Sequence, residues 1–361
     1  MKPEASPAPV PLPERSTVPL FICGFPKSGT TLLSALLDGH PELLVLPEET
    51  HYFRRLDALS SLPRAERVGF LLEHTQLARM DAGHEEDLHR ERGDYSDYRD
   101  YRHFDFPAFR GELERRFAGT DGSDRALLDG LVATFAEATG QTGRSVWVEK
   151  TPQNEDNLDR ILAWYPKARI LYIVRDPRDT YLSYAAFRPW RSKGDFDVRR
   201  FTAVWAQSLI RWRAHAAAAG SDRAMVVRYE DVATSPEAHM RRIAGFLGVR
   251  FDDCLLVPTK LGQPWEGNSM HGDSFQGIDT RPIGRWKSRL GAEDLAFIEA
   301  FLGKAMVDLG YTPSAPRPGL GARARLLMRT RRRRALAGIL LRLYRPFAPR
   351  LGPGGRIGAR S

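Results

Sequence analysis

A three-layer α/β fold, with a central parallel sheet flanked by helices, is predicted by three observations. Apolar runs at Leu20–Cys23, Ser145–Val148, Ala168–Val174 and Ala224–Asp231 have the length and composition of buried strands. Segments with helical spacing stand between them, as parallel strands require for their crossovers. Several runs also end in polar or charged residues, at the edge where open α/β sheets bind ligands.

The first run leads into Gly24-Phe25-Pro26-Lys27-Ser28-Gly29-Thr30-Thr31, and Leu32, Leu33, Leu36 and Leu37 then recur at helical spacing. Gly24 and Gly29 let the backbone turn with its N–H groups pointing inward. The helix N-terminus that follows favours negative charge, so an anion is expected in the loop. The spacing is P-loop-like, but the usual Gly-Lys-Ser/Thr ending is absent and the lysine sits earlier, at Lys27. Ordinary kinase or triphosphatase chemistry, which needs the late lysine and a magnesium-bound hydroxyl, is disfavoured while the anion cradle is kept.

This loop resembles the 5′-phosphosulfate loop of the sulfotransferases, typically Pro-Lys/Arg-Ser-Gly-Thr-Thr, which bind 3′-phosphoadenosine 5′-phosphosulfate. The resemblance implies that Lys27, Ser28, Gly29, Thr30 and Thr31 hold the 5′ end. It also implies metal-free chemistry, with lysine stabilising charge on the bridging oxygen. No His-Glu-x-x-His or Cys-x-x-Cys pattern occurs, so no metal site is expected.

After the first helix, His40–Pro47 reads as a turn and a strand delivering Glu48, Glu49, Thr50 and His51 to the ligand edge. Glu49-x-His51-Tyr52-Phe53 is similar to the Glu-x-His-Phe-Phe of heparan sulfate sulfotransferases, and Glu-Glu-Thr resembles the tyrosylprotein type. Both resemblances imply Glu49 as general base. His51 is the rival, since its ordinary pKa lies nearer neutrality. Glu48, one residue away, is expected to face elsewhere.

Residues 54–144 interrupt the strand–helix alternation with amphipathic helices at Arg64–Met80, Pro107–Ala118 and Asp124–Thr139. They read as a helical insertion lining the acceptor site, with Tyr95, Tyr98 and Tyr101 as stacking surfaces; a solvated mobile loop is the alternative. Ser145–Val148 resumes the sheet and delivers Glu149, Lys150, Thr151 and Pro152. This is similar to the Glu-Lys-Thr-Pro segment of the same groups, which implies that Lys150 contacts the transferring sulfuryl.

A helix at Asp156–Trp164 precedes the strand Ala168–Val174, which leads into Arg175, with Pro177 suited to a helix first turn and Ser183 eight residues beyond Arg175. The segment resembles the family's 3′-phosphate clamp, an arginine and a serine at that separation; charge-assisted arginine bonds suit a phosphate. Arg178 is assigned to a structural network with Asp176 or Asp179. In the long helix Phe196–Ala219, Trp205, Leu209 and Trp212 read as core.

Tyr229, placed in the strand Ala224–Asp231, is either an adenine contact by resemblance or an ordinary buried aromatic. Ser235 reads as an N-cap with proline next. Gly284-Arg285-Trp286-Lys287 resembles the Gly-Asp-Trp-Lys region of cytosolic members, with Arg285 in place of the acid; Arg285 and Lys287 are expected near the 3′-phosphate. Ala292–Leu309 closes the domain as a helix with Leu295, Ile298, Phe301 and Leu302 inward.

At 361 residues and 42% apolar content, one large domain suffices, and it is assigned to residues 19–313. Residues 1–18, with five prolines, read as a disordered leader. Residues 314–361 hold 13 arginines and no acid, so without them the net charge of +9 becomes −4. The basicity belongs to this tail. There Arg331–Arg334 precede Leu336, Ile339, Leu340 and Leu343 at helical spacing, a pattern for an anionic membrane surface or, equally, for an unanchored tail. No nucleic-acid reading motif accompanies the arginines. Only Cys23 and Cys254 occur, with no spacing for a metal or a disulfide framework, and a reducing, cytoplasmic setting is expected, peripheral to a membrane if the tail is the anchoring kind.

The sequence therefore predicts direct in-line transfer of a sulfuryl group to an acceptor hydroxyl or phenol, whether of a glycan, a lipid, a metabolite or a peptide tyrosine. The rivals are a P-loop nucleotide kinase or triphosphatase and a silent nucleotide-binding protein.

Overall fold

The computed structural model describes residues 17–81, 101, 103–186, 197–220, 222–265, 267, 277–316 and 318–328. The leader through residue 16, Tyr95, Tyr98 and the stretch 331–343 lie outside them.

Five parallel strands form the central sheet: β1 (Val18–Cys23), β2 (Leu43–Val45), β3 (Val146–Lys150), β4 (Arg169–Val174) and β5 (Ala224–Arg228), in the order β2-β3-β1-β4-β5. In β1, Ile22 pairs with Lys150 of β3, and Cys23 with Tyr172 of β4. Both faces of β1 are covered, which is why its sequence is continuously apolar rather than alternating.

Leu20 and Ile22 join one cluster, with α1 (Thr30–Leu37) and α10 (Pro236–Leu247, the tenth α-helix among the described residues) supplying Leu33, Leu36, Met240 and Ile243. Phe21 and Cys23 point to the other face. There the cover comes from α2 (Tyr52–Ser60), α3 (Arg64–Glu73), α4 (Phe106–Ala118), α5 (Asp124–Ala138), α6 (Leu158–Trp164), α8 (Val198–Ala219) and α12 (Ala292–Asp308). Trp205, Leu209 and Trp212 of α8 pack in this core as expected. So do Ile298 and Leu302 of α12, with Leu295 only half-buried and Phe301 packed on the edge.

The helical insertion is part of this second core and not a separate body. Leu71, Leu113 and Phe135 share one apolar cluster with Phe21, Trp147 and Tyr172. Tyr101 is buried with it.

Three local expectations change. The fifth strand stops at Arg228, and Tyr229 opens the short helix α9 (Tyr229–Thr234); that turn directs Glu230 inward, where it accepts the N–H of Asp176 at 2.9 Å and the hydroxyl of Tyr311 at 2.8 Å. Ser235 stands at the N-cap of α10, but its side chain makes no capping bond, because its backbone is still leaving α9. The helix expected at Asp156–Trp164 begins as a 3-10 turn, Asn154–Asn157, before α6. By contrast Pro177 opens α7 (Pro177–Ala185) as expected, with Asp176 as its cap. Among the described residues no helix is long and apolar enough to cross a membrane.

Leu113 is fully buried in the core that the insertion shares with the sheet. Leu113→Ala is expected to lower unfolding free energy by about 2–5 kcal/mol in urea titration, as loss of a core leucine does; a change under about 0.5 kcal/mol would show that the insertion is a detachable layer.

Candidate active site

The loop after β1 opens between the ends of β3 and β4, the strands paired on either side of it. Two glycines shape it. Gly24 has φ +146°, and a Cβ there would lie 2.4 Å from the Ile173 carbonyl oxygen; Gly29 has φ +100°, and a Cβ would lie 2.5 Å from Cδ2 of Tyr229. Both positions therefore require glycine. Lys27 is also left-handed, at φ 72°, as is His51 at φ 47°. Strained backbone at two non-glycine residues here marks an over-determined site.

One expectation about the cradle is corrected. The Gly24 N–H points backward, donating to Glu155 Oε2 at 3.1 Å, and the Ser28 N–H is taken by the Phe25 carbonyl at 3.1 Å. Neither N–H therefore faces the space before α1, whose first turn carries Thr30 and Thr31. The Ser28 hydroxyl is buried there without a hydrogen-bond partner among the described residues. A buried orphan of this kind fits a group held by a ligand.

On the β3 side, Lys150 lies between the loop and the proposed base. Its Nζ donates to Glu49 Oε1 at 2.6 Å and approaches Thr31 Oγ1 at 3.4 Å. The Lys150 and Glu49 side chains are only 7% and 13% exposed, so the pair lies out of bulk water. Glu49 Oε2 accepts from Gln76 Nε2 at 3.1 Å and lies 3.5 Å from His51 Nε2. Burial raises the Glu49 carboxyl, but Lys150 and His51 outweigh it and hold it below the ordinary carboxylate range. Burial lowers His51 below its ordinary value, Glu49 notwithstanding, so the ring is neutral at pH 7. Its Nδ1 is buried without a hydrogen-bond partner among the described residues.

The turn that carries Glu49 and His51 is pinned by Glu149. This buried carboxyl accepts from Thr50 Oγ1 at 2.7 Å, Thr151 Oγ1 at 2.5 Å and Asn154 Nδ2 at 2.5 Å, while the His51 N–H donates to Thr151 Oγ1 at 3.2 Å. Burial pushes the Glu149 carboxyl up in spite of these bonds.

Glu48 faces elsewhere, as its neighbourhood with Glu49 predicts. It is buried with Lys260, with Arg79 at 3.4 Å and with the Tyr101 hydroxyl at 2.7 Å. Burial alone would raise it, but the two cations bring it down to about 2. Arg79 also donates to Gln76 Oε1 at 3.1 Å, which connects this cluster to Glu49. Tyr101 is thus a buried hydrogen-bond donor, not a stacking surface.

On the β4 side, Arg175 and Ser183 come together, Nη1 to Oγ at 3.2 Å. The same guanidinium reaches the Lys27 carbonyl at 3.3 Å and the Pro282 carbonyl at 2.8 Å, and lies 4.8 Å over the Tyr229 ring. Its Nε is buried without a partner among the described residues. Tyr229 packs against Gly29 and donates to the Asp279 carbonyl at 3.3 Å. The Gly284 and Trp286 N–H groups donate to Asp179 at 2.7 and 2.9 Å, so the segment 279–286 lies across the Arg175 side of the loop. Arg285 is half-buried there, close enough to Tyr229 to act on its hydroxyl. Lys287 is exposed on the short helix α11 (Trp286–Arg289) and folds back over Gly284. Arg178 stays outside the site, bound to Asp176 and Glu299 at 2.7 Å each and 3.7 Å over the Trp286 ring.

Sequence reading missed Gln76, Asn154 and Glu155. Glu155 and Asn154 follow Thr151-Pro152 closely enough that the motif could have been extended to them. Gln76 sits in the insertion, where no motif marks it. Among the described residues no group of histidine, cysteine and acidic side chains could hold a metal ion.

Fold and site together define an α/β protein with an anion loop flanked by a lysine–glutamate pair and an arginine–serine pair. The model of the sulfotransferase family matches residues 19–253. The chain belongs to the sulfotransferase family. A protein-tyrosine sulfotransferase of Drosophila melanogaster is 23% identical over 320 residues, covering 84% of this chain and 53% of that protein, so the chain spans about half of that relative's length. Nodulation protein NoeE of Sinorhizobium fredii is 24% identical over 326 residues, 83% of this chain and 68% of that protein. The solved sulfotransferase domain of the curacin biosynthetic pathway shares the fold, with a TM-score of 0.50, 20% identity, and coverage of 84% of this chain and all of that domain.

Two outcomes follow from the geometry. Gly29→Ala should abolish nucleotide binding in calorimetry, since the added methyl would displace Tyr229 or the loop; binding within about threefold of wild type would show that the loop tolerates the shift. Glu48, with a folded pKa of about 2 against 4.5 as its ordinary value, contributes stability that is present above about pH 4.5 and lost as pH falls toward 2. Wild type should therefore exceed Glu48→Gln by about 3 kcal/mol in urea titration at pH 7, with the difference shrinking between pH 4.5 and pH 3. A constant difference would place the contribution in packing.

Proposed function

We propose that this protein transfers a sulfuryl group from 3′-phosphoadenosine 5′-phosphosulfate to a hydroxyl or phenol of an acceptor, directly and in line. The observation that carries the proposal is the position of Lys150. One buried ammonium touches both the hydroxyl of Thr31, at the anion-binding end of α1, and the carboxylate of Glu49.

The residues fit the donor. The later loop N–H groups, Ser28, Thr30 and Thr31 suit its 5′ end, with Lys27 beside them. Arg175 and Ser183 suit a 3′-phosphate, with Arg285 and Lys287 on the segment that crosses this side. Tyr229, packed between Gly29 and Arg175, lies beside the arginine side of the loop and suits an adenine contact. The buried orphans, Ser28 Oγ and Arg175 Nε, lie on the two anion sides.

Glu49 serves as the base. It is ionised at neutral pH and close to the loop, and its weakness in this state comes from Lys150. When Lys150 turns to negative charge developing on the bridging oxygen, Glu49 loses the cation that depresses it and becomes the stronger base as the acceptor proton must leave. Lys27 supplies a second positive charge. His51, neutral at pH 7 and 3.5 Å from Glu49, stands as the alternative proton acceptor.

Calorimetry with 3′-phosphoadenosine 5′-phosphate, compared with ATP and magnesium, tests the donor. The adenosine bisphosphate should bind without metal and at least about tenfold tighter; preference for ATP with a magnesium requirement would sink the reading in favour of a kinase or triphosphatase. A screen of hydroxylated and phenolic acceptors with donor labelled in sulfur then gives turnover. On the acceptor found, Glu49→Ala should lose about 100-fold or more in kcat, within the usual contribution of a general base, with nucleotide affinity within a few-fold. Unchanged turnover would move the base to His51.

A further inference from the structure

One buried carboxyl takes no part in this transfer yet is bonded to the loop that carries it. Glu155 is fully buried on the turn Asn154–Asn157, and its Oε2 accepts the Gly24 N–H at 3.1 Å. The N–H of neighbouring Gln153 donates to the Gly24 carbonyl at 3.1 Å. Both peptide partners of the loop's first residue thus come from one turn, which begins just after Lys150 and Thr151. Oε1 of Glu155 accepts from Ser208 Oγ of α8, which lies 2.8 Å from the Tyr172 hydroxyl of β4.

Among the described residues the titratable groups that interact with it are Cys23 of β1, Tyr172 of β4 and Asp156 on its own turn. None is a cation. Asp156 is itself paired with Arg211 of α8, and Glu155 has no ion-pair partner among the described residues.

We propose that Glu155 is a positioning residue for the anion-binding loop, and that the proton on its carboxyl sets how tightly the loop holds its nucleotide. This rests on the reading of that loop as a nucleotide site. In either state an oxygen of Glu155 can accept the Gly24 N–H, so the loop entry stays fixed. In the neutral state the carboxyl O–H donates to Ser208 Oγ and Ser208 donates to Tyr172, so the relay reverses and the Tyr172 O–H gives up its partner in it. In the charged state an uncompensated negative charge lies directly behind the loop, in a dry interior where charges act strongly, and opposes an anion on the other side.

Burial, with Asp156 adding in the same direction, pushes the Glu155 carboxyl up to about 7 despite the bonds from Ser208 and Gly24. The change of state therefore falls at neutral pH. Nucleotide is held tightly below it and less tightly above.

The test is calorimetric titration of the full chain with 3′-phosphoadenosine 5′-phosphate at pH 6 to 8.5, for wild type and Glu155→Gln. The ligand's own ionisation is common to both and cancels in their ratio. The ratio of wild-type to variant Kd should be near one at pH 6 and rise to about fivefold at pH 8.5. A ratio that does not change with pH overturns the proposal, including one in which the variant is weaker by a constant factor, as a merely structural role would give.

A second measurement needs no variant. Carbon-13 NMR titration of the buried glutamate in wild type should show its midpoint rise by the logarithm of the same factor, about 0.7, when the nucleotide is bound. An unmoved midpoint overturns the proposal. Failure of wild type to bind the nucleotide at any pH would remove the nucleotide site itself and the proposal with it, whereas binding with a flat ratio would remove only the role of Glu155.

Discussion

Because β1 is hydrogen-bonded to parallel strands on both sides, the loop that leaves it opens between the ends of β3 and β4. This constraint decides most of the chemistry. Lys150 ends β3 and Arg175 follows β4, so two cations from distant parts of the chain flank one anion loop without any long connection. The same pairing buries β1 on both faces, and its side chains alternate between the two cores. A change in register by one residue would exchange those faces and turn Lys150 away from the loop.

The site is built around buried carboxyls whose partners differ. Glu48 has two cations and a phenol, and is held strongly ionised. Glu49 has one lysine and a neutral imidazole, which leave it ionised but able to gain basicity if the lysine turns away. Glu149 has three uncharged donors and serves to hold the turn of Thr50 and His51. Glu155 has uncharged donors alone, Ser208 Oγ, the Gly24 N–H and its own backbone N–H, and no ion-pair partner among the described residues, so its charge is the least compensated of the four. One residue type thus stands in four different electrostatic settings, because what distinguishes them is the charge of the neighbours and not the depth of burial.

The helical insertion also owes its role to the sheet. Its helices complete the core over Phe21 and Trp147, and Gln76 reaches Glu49 from the short turn that follows α3. Gln76 and Arg79 join the Glu48 cluster to the Glu49–Lys150 pair, so the insertion and the end of β3 share one hydrogen-bonded chain.

By itself the sequence determined the strands and the glycine loop, and it placed Lys150, Arg175 and Glu49 at the strand-end edge, because these depend on local apolar runs and on short motifs at strand ends. It also separated Glu48 from Glu49 by the alternation of an extended chain. The tertiary structure decided what those groups touch. That the Gly24 N–H turns back to Glu155, that Tyr101 serves Glu48, that Tyr229 begins a helix against Gly29, and that Gln76 holds Glu49 all follow from contacts between segments far apart in the chain. No local spacing encodes such contacts, since they arise only when the parallel strands bring their ends to one edge.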